Sequence, residues 1–383
     1  MTRIVISEPV LKWAVDRSGN PEAIKQRFPK MEDWLSGESH PTLRQVEQLA
    51  RTTATPIGFF FLPEPPDAQL SIPHFRTLSD SPLGQPSPDL LETVQTMERR
   101  QEWMREYLVQ LGHDSLRFVR SARLADEPEQ LAGELRTTLG LDQGWSAQQP
   151  TWSAALRVLQ TKMEDAGILV VVNGVVGNNT HRKLDVAEFR GFVLVDEYAP
   201  LVFVNGADGK AAQMFTQAHE LAHLWFGGSA AFDLRELQPA ENEIELACNR
   251  VAAEFLVPAA GIQQVWSSVG LRPDRFQAIA RHFKVSELVG ARRAQDLGLI
   301  TKPEFLEFYE GYRESEGRTA AQGQKGGNFY STQNLRLGRR FAGTVVRAVR
   351  EGKLLYREAY ALTGLNGKTF DKYATLLTPG AAV

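Results

Sequence analysis

The residues best suited to chemistry lie in one short string, FTQAHELAHLWFGG, at positions 215–228. His219 and His223 are four residues apart, so on an α-helix both imidazoles leave from one face and can grip one metal ion. Glu220 follows the first histidine, about a hundred degrees round the helix. From there its carboxylate can reach a water at the metal without ligating the metal. Phe215, Ala218, Leu221, Ala222, Leu224 and Trp225 keep the surroundings apolar or small, as a buried catalytic helix requires. In chains with this histidine content, H-E-x-x-H arises by chance in roughly one of a hundred. The chemistry this set suits is metal-assisted peptide hydrolysis. Zinc would polarise a scissile carbonyl and acidify a water, and Glu220 would take that water's proton and hand it to the leaving amine. Manganese or another divalent ion would suit the same ligand types.

A tetrahedral catalytic zinc needs a third protein ligand. The histidine-bearing extension of the motif is absent, because Phe226 and Ser229 stand at its positions, and no other histidine lies between 224 and 281. The ligand is therefore expected from the carboxylates of ENEIELACNRVAAEFLVP. If that segment is helical, its apolar stripe is Ile244, Ala247, Cys248, Val251, Ala252 and Phe255. Glu245 falls at the edge of the stripe and can point inward. Glu243 and Glu254 fall on the outer side, and Glu241 sits in the first turn, where it serves more cheaply as a cap. Asn249, one turn after Glu245, could orient its carboxylate. Cys248 reads as a small core residue, and His40, His74, His113, His181 and His282 are scattered. His181 and Tyr198 are two candidate oxyanion donors.

These side chains need a scaffold. GILVVVNG, FRGFVLVD and PLVFVNG are strand-like runs with turn residues nearby. Helices are expected before them, over TWSAALRVLQTKMEDAG with a stop at Gly167, and after them, at about 210–226 and 239–256, with Pro239 in the first turn of the second. The expected fold class is α+β, mostly helical, with a small three-stranded sheet packed on the H-E-x-x-H helix and the following glutamate helix. If strand 189–195 lies at the sheet edge, it could accept substrate backbone by strand addition.

The core is assigned to residues 151–260. Before it come short helices at 1–62, with helix starts at Asn20-Pro21 and Pro41-Thr42 and stops at Gly19 and Gly37. A Pro/Ser-rich linker at 63–88 and a helical connector at 89–150, opening on a long helix at about 89–111, complete the N-terminal half. After it come a helical segment at 261–314, a flexible linker at 315–328 and a helical tail at 329–383 that carries nine Lys/Arg against three Asp/Glu. A chain of 383 residues has room for two or three domains.

Net charge is −3, which argues against a protein that coats nucleic acid but allows a local basic patch. The single cysteine fits a reducing compartment. The first residues carry charge too early for a signal peptide, and no apolar run is long enough to span a bilayer. A soluble, cytoplasmic protein without membrane partners is expected.

The strings AEFRGFVLVDEYAPLVFVN, FTQAHELAHLWFG and IELACNRVAAEFLVP resemble the ImmA/IrrE family of metallopeptidases. The resemblance implies a zincin-like core in which two histidines and a glutamate four residues before the CN asparagine bind zinc. In this chain these are His219, His223 and Glu245, with Glu220 catalytic. VLKWAVDRSGNPEAIKQRF, WLSG and PTLRQVEQLA resemble a helix-turn-helix domain of the phage-repressor type, and IPHFRTL the connector that often follows it. FQAIARHFKVSELVGARRAQDLGLI resembles the helix-turn-helix-like segment that follows the peptidase core. Members of the family cleave a repressor in stress or mobile-element circuits, and others stand beside a toxin as its antitoxin. The resemblance thus implies a narrow-specificity endopeptidase (gluzincin-like) with a protein substrate, a repressor or toxin encoded nearby.

The alternative is a DNA-binding regulator or antitoxin whose metal site is structural or sensory. The N-terminal segment is a poor DNA reader, since KMEDWLSGES carries Glu32, Asp33 and Glu38 and residues 1–62 hold eight Lys/Arg against seven Asp/Glu. Trp34 reads as a core anchor. Arg281, Lys284, Arg292 and Arg293 are better placed, as are Arg336, Arg339, Arg340, Arg347 and Arg350 of the tail, although such charge runs are usually solvated helix faces.

Overall fold

A computed structural model describes residues 3–18, 21–66, 86–228, 231–232, 243–319 and 329–377. The chain divides into two units, residues 1–71 with 79–95 and residues 72–78 with 96–383, and the division runs through a helix.

In the first unit, α1 (Glu8–Asp16), α2 (Pro21–Arg27), α3 (Met31–Leu35), α4 (Leu43–Thr52) and a 3₁₀ turn (Ile57–Phe61) enclose a core of Val10, Leu11, Phe28, Met31, Trp34, Leu49 and Phe60. Trp34 is buried against Phe28, with ring centroids 5.9 Å apart. Thr42 and Gln45 form a capping box that starts α4 where Pro41-Thr42 predicts it. Gly37 (φ +76°) follows α3, and Gly19 lies outside the described residues.

The long helix α5 (Pro88–Gln110) is followed by α6 (Pro128–Leu139) and α7 (Trp152–Asp165), and Gly167 (φ +104°) turns the chain into the sheet. The strands are β1 (Leu169–Asn173), β2 (Val175–Val176), β3 (Asn179–Lys183), β4 (Gly191–Leu194), β5 (Leu201–Asn205) and β6 (Ala231–Phe232). The three expected runs form the body of a mixed sheet of order β1-β5-β4-β6, with β1 parallel to β5 and β4 antiparallel to both neighbours. The strand β6 and a separate β2–β3 hairpin have no counterpart in the sequence reading. Strand 189–195 is therefore not a bare edge, because Gly191 and Phe192 pair with Phe232 and Ala231.

Alternation along the strands covers both faces. Val170, Val172, Val193, Val202 and Val204 join one core cluster with α8 (Lys210–Phe226) and α9 (Glu243–Leu256). Phe192 and Phe203, on the alternate positions, stack 4.8 Å apart. The start expected at Pro239 lies outside the described residues.

Then come α10 (Ala259–Val269), α11 (Arg275–Phe283), α12 (Glu287–Asp296), α13 (Lys302–Thr319), α14 (Phe329–Leu337), α15 (Arg339–Arg350), α16 (Tyr356–Thr363) and α17 (Gly367–Leu377). Helix α13 runs through the first five positions of the expected 315–328 linker; residues 320–328, and 67–85 of the 63–88 linker, lie outside the described residues. The tail helices belong to the same unit as the core. Arg100 of α5 donates to Leu362 O (2.9 Å) and Arg336 O (3.0 Å), satisfying carbonyls at the ends of α16 and α14. Glu164 of α7 accepts the Arg340 N–H (3.0 Å) at the start of α15. Among the described residues no helix is long and apolar enough to cross a membrane.

Candidate metal centre

The helix that carries His219, Glu220 and His223 is fixed at both ends. At its start, the Gln213 side-chain amide donates to Asp208 O (2.6 Å) and Gly206 O (3.2 Å), tying α8 to the chain leaving β5. At its end, Gly227 adopts φ +81°, and its N–H closes on His223 O (2.8 Å). Two more of the last carbonyls are satisfied by a loop, with Arg120 N–H on Leu224 O and Ala122 N–H on Trp225 O, both 2.9 Å. A helix so held presents its side chains with little freedom.

The expected set meets in one place. His219 Nε2 is 3.1 Å from Glu245 Oε2, His223 Nε2 is 3.3 Å from Glu245 Oε1, and the two Nε2 atoms are 3.0 Å apart. Among the described residues these three form the one group of His, Cys, Asp and Glu able to hold a metal ion. Asn249 takes a different partner from the one expected. Its Oδ1 lies 3.0 Å from His219 Nδ1 rather than orienting Glu245. An oxygen can only accept, so Nδ1 carries the proton and Nε2 keeps its lone pair for the centre.

His219, Glu220 and His223 are 0 % exposed. Burial pulls His219 down to about 4, so the ring is neutral near pH 7. Glu220 is pushed well above the ordinary carboxyl value by burial and then by the charge of Glu245. Burial also pushes Glu245 up, but its hydrogen bonds to His219 and His223 outweigh this and hold it below the ordinary value. Among the described residues, both Glu220 oxygens lack a hydrogen-bond partner, as does His223 Nδ1.

This arrangement fits a divalent metal. Tetrahedral bonds of about 2.0–2.1 Å hold their donor atoms roughly 3.4 Å apart, close to the 3.0–3.3 Å found here. A cation also relieves two buried carboxyls that otherwise oppose each other.

Residues 163–295 match the IrrE N-terminal-like domain of peptidase family M78. The match supports a metallopeptidase-type function. The matched residues take in the whole sheet, α8 and α9, and extend through most of α12, so they include the greater part, 276–295, of the helix-turn-helix-like string at 276–300. Residues 337–375 match a second family model, a domain of unknown function (DUF8813). No curated protein matches the chain.

Other expectations need correction. Glu254, placed on the outer face of α9 by its stripe, is buried, and its carboxylate pairs with Arg293 and accepts the Ala259 N–H. Arg136 donates to Glu254 O (3.0 Å) and Phe255 O (3.2 Å), so α6 and α12 enclose the end of α9. Helix α8 is also less apolar than expected. Thr216 and Gln217 are fully buried, and among the described residues the Thr216 hydroxyl and both Gln217 amide atoms lack partners. Of the two candidate oxyanion donors, His181 lies on exposed β3 and Tyr198 beside Arg105. Cys248, by contrast, is the small core residue expected, fully buried with its thiol pushed up by burial and then by Glu245 and Glu220.

Gly191 is the residue the sequence reading missed. A Cβ there would lie 2.5 Å from Thr216 Cγ2, 2.9 Å from Phe203 O and 3.4 Å from Glu220 Oε1. The bare backbone lets α8 approach β4 and seats Glu220 under it. A glycine inside an apolar strand run was the available signal.

Proposed function

We propose that this protein is a zinc-dependent endopeptidase of narrow specificity that acts on a regulatory protein. The observation that carries this reading is the convergence of His219, His223 and Glu245 beside a buried Glu220 whose oxygens have no partner among the described residues. His219, His223 and Glu245 hold the metal, which when bound supplies Lewis-acid polarisation of the scissile carbonyl. Asn249 fixes the His219 ring by accepting its Nδ1 proton. Glu220 takes a proton at a carboxylate oxygen from the water that attacks the carbonyl carbon. It returns a proton to the amine nitrogen as the C–N bond breaks.

Narrow specificity is supported by access. Three of the four side chains are wholly buried, and β6 pairs with part of the strand edge that an extended substrate would use. The class of substrate, a repressor-type regulator in a stress, mobile-element or toxin–antitoxin circuit, follows from the family resemblance and from the appended segments.

The test is to incubate the purified protein with the regulators encoded beside its gene. Glu220→Gln is expected to slow cleavage by about 10²–10⁴-fold while elemental analysis still finds one zinc per chain. Cleavage at the wild-type rate by that variant, or wild-type protein that is active without a metal, sinks the mechanism.

A further inference from the structure

We infer that α16 and α17, in the DUF8813 segment, form a helix-turn-helix that binds duplex DNA. Local sequence builds the motif. Helix α16 stops at Gly364, which adopts φ +66° with its N–H on Tyr360 O (2.8 Å). The turn is three residues, Gly364-Leu365-Asn366, and Thr369 N–H on Asn366 O (3.0 Å) starts the next helix. Leu365 is buried and pins the turn, while Tyr356 and Tyr360 set their rings edge-on to Phe370, with centroids 6.2 and 5.5 Å away. Both helices contact α15, whose Phe341, Val345 and Val346 are buried. Two short helices about a glycine turn, seated on a third, are the architecture that places its second helix in the major groove.

The exposed face of α17 suits that task. Phe370 and Tyr373 turn inward, and Lys368, Asp371, Lys372, Thr375 and Leu376 are exposed at helical spacing. Residues 337–377 hold eight Lys/Arg against three Asp/Glu, in a chain whose net charge is −3. Arg340 is taken up at Glu164, but Arg347, Arg350, Arg357, Lys368 and Lys372 are exposed. Lys368 and Lys372 on α17 and Arg357 in the first turn of α16 are of the type that meets phosphates, and Asp371 and Thr375 of the type that reads base edges.

The pair α11 and α12 of the same unit differs, although its Arg281 is exposed. In α11 and α12, Arg293 is buried on Glu254, Arg292 pairs with Asp296 (3.0 Å), and Lys284 donates to the Arg281 carbonyl. Three cations of that pair are thus turned to partners in the same unit, and the face of α17 is the more exposed of the two. This inference does not depend on the peptidase reading.

The experiment uses the full chain and a fluorescent mixed-sequence duplex of about three helical turns, followed by anisotropy between about 50 and 200 mM salt. The variant Lys368→Glu/Lys372→Glu is expected to bind at least tenfold more weakly. Its slope of log K against log salt should shrink by about 1.8, with an unchanged circular dichroism spectrum and melt. A charge-matched control, Lys12→Glu/Lys302→Glu, changes exposed residues elsewhere and is expected to bind as wild type. Absence of salt-dependent binding overturns the inference. So does equal binding by the α17 variant and wild type, or equal or greater loss in the control.

Discussion

Two buried polar clusters lie on neighbouring helices, and they differ in how their hydrogen bonds are completed. At the end of α9, Glu254 pairs with Arg293, its second role is to accept the Ala259 N–H, and the nearby carbonyls of Glu254, Phe255 and Val257 are met by Arg136 and Arg293. At the centre of α8, the two Glu220 oxygens, His223 Nδ1, Thr216 Oγ1 and the Gln217 amide are buried with no partner among the described residues. A buried group without a partner costs about 1–3 kcal/mol, and several such groups gathered at one place distinguish the second cluster from the first. Beside the converging His219, His223 and Glu245, these open polar atoms fit a place where a ligand completes the set.

Breaking each cluster should therefore break a different property. The largest effect is expected at the open cluster. His223→Ala removes a donor that Glu245 and His219 cannot replace, so bound zinc falls to near zero by elemental analysis. Peptidase activity should fall by at least the roughly 10²–10⁴-fold that loss of the proton carrier alone costs. Its urea midpoint, with metal removed from both proteins, stays near that of wild type. A variant that keeps stoichiometric zinc would mean the ion sits elsewhere.

The closed cluster should answer in stability. Glu254→Ala strands a buried guanidinium and is expected to cost about 3–5 kcal/mol in urea unfolding. Glu254→Leu combined with Arg293→Met removes both charges and should recover most of that loss. Zinc content should be unaffected in both. If the single variant unfolds like wild type, the two clusters do not differ in kind.

Asn249 sharpens the contrast from the other direction, because it connects the open cluster to α9. Asn249→Ala frees His219 Nδ1 and should weaken zinc binding by about 10–100-fold in competition with a chromogenic chelator. Asn249→Asp, which still accepts from Nδ1, should restore much of it. No change in affinity would show that the ring is held by packing alone.

The open cluster was the more legible of the two, for a physical reason. Four-residue spacing fixes the relative direction of His219 and His223 wherever the helix lies, and the stripe of α9 points Glu245 inward on the same local grounds. Asn249 was found, but its partner was misassigned, since a sidedness argument gives a face and not a contact. Glu254 was misplaced because one stripe reports one buried face, and the second face is made by α6 and α12, distant in sequence. Likewise, Arg336 and Arg340 read as a solvated charge run until Asn178 and Glu164 are brought to them by packing. Periodicity carries local geometry well and says nothing of which distant element arrives.

Gly191 shows the same limit in its smallest form, and it gives the most modest prediction. Its strand neighbours are apolar and β-forming, so alternation alone would accept alanine there. The structure does not, since the added Cβ meets Thr216 Cγ2 at 2.5 Å and Phe203 O at 2.9 Å, and the second of these is backbone of the neighbouring strand. The threonine rotamer can yield, but the carbonyl can do so only by moving β5. Gly191→Ala should therefore cost about 1–3 kcal/mol of stability. It should also displace Glu220 from beneath β4, so kcat falls while zinc content holds. Gly343, whose added Cβ meets nothing within 4 Å, supplies the control. If Gly191→Ala and Gly343→Ala lower stability and kcat equally, the close approach of α8 to β4 has no part in holding the catalytic carboxyl.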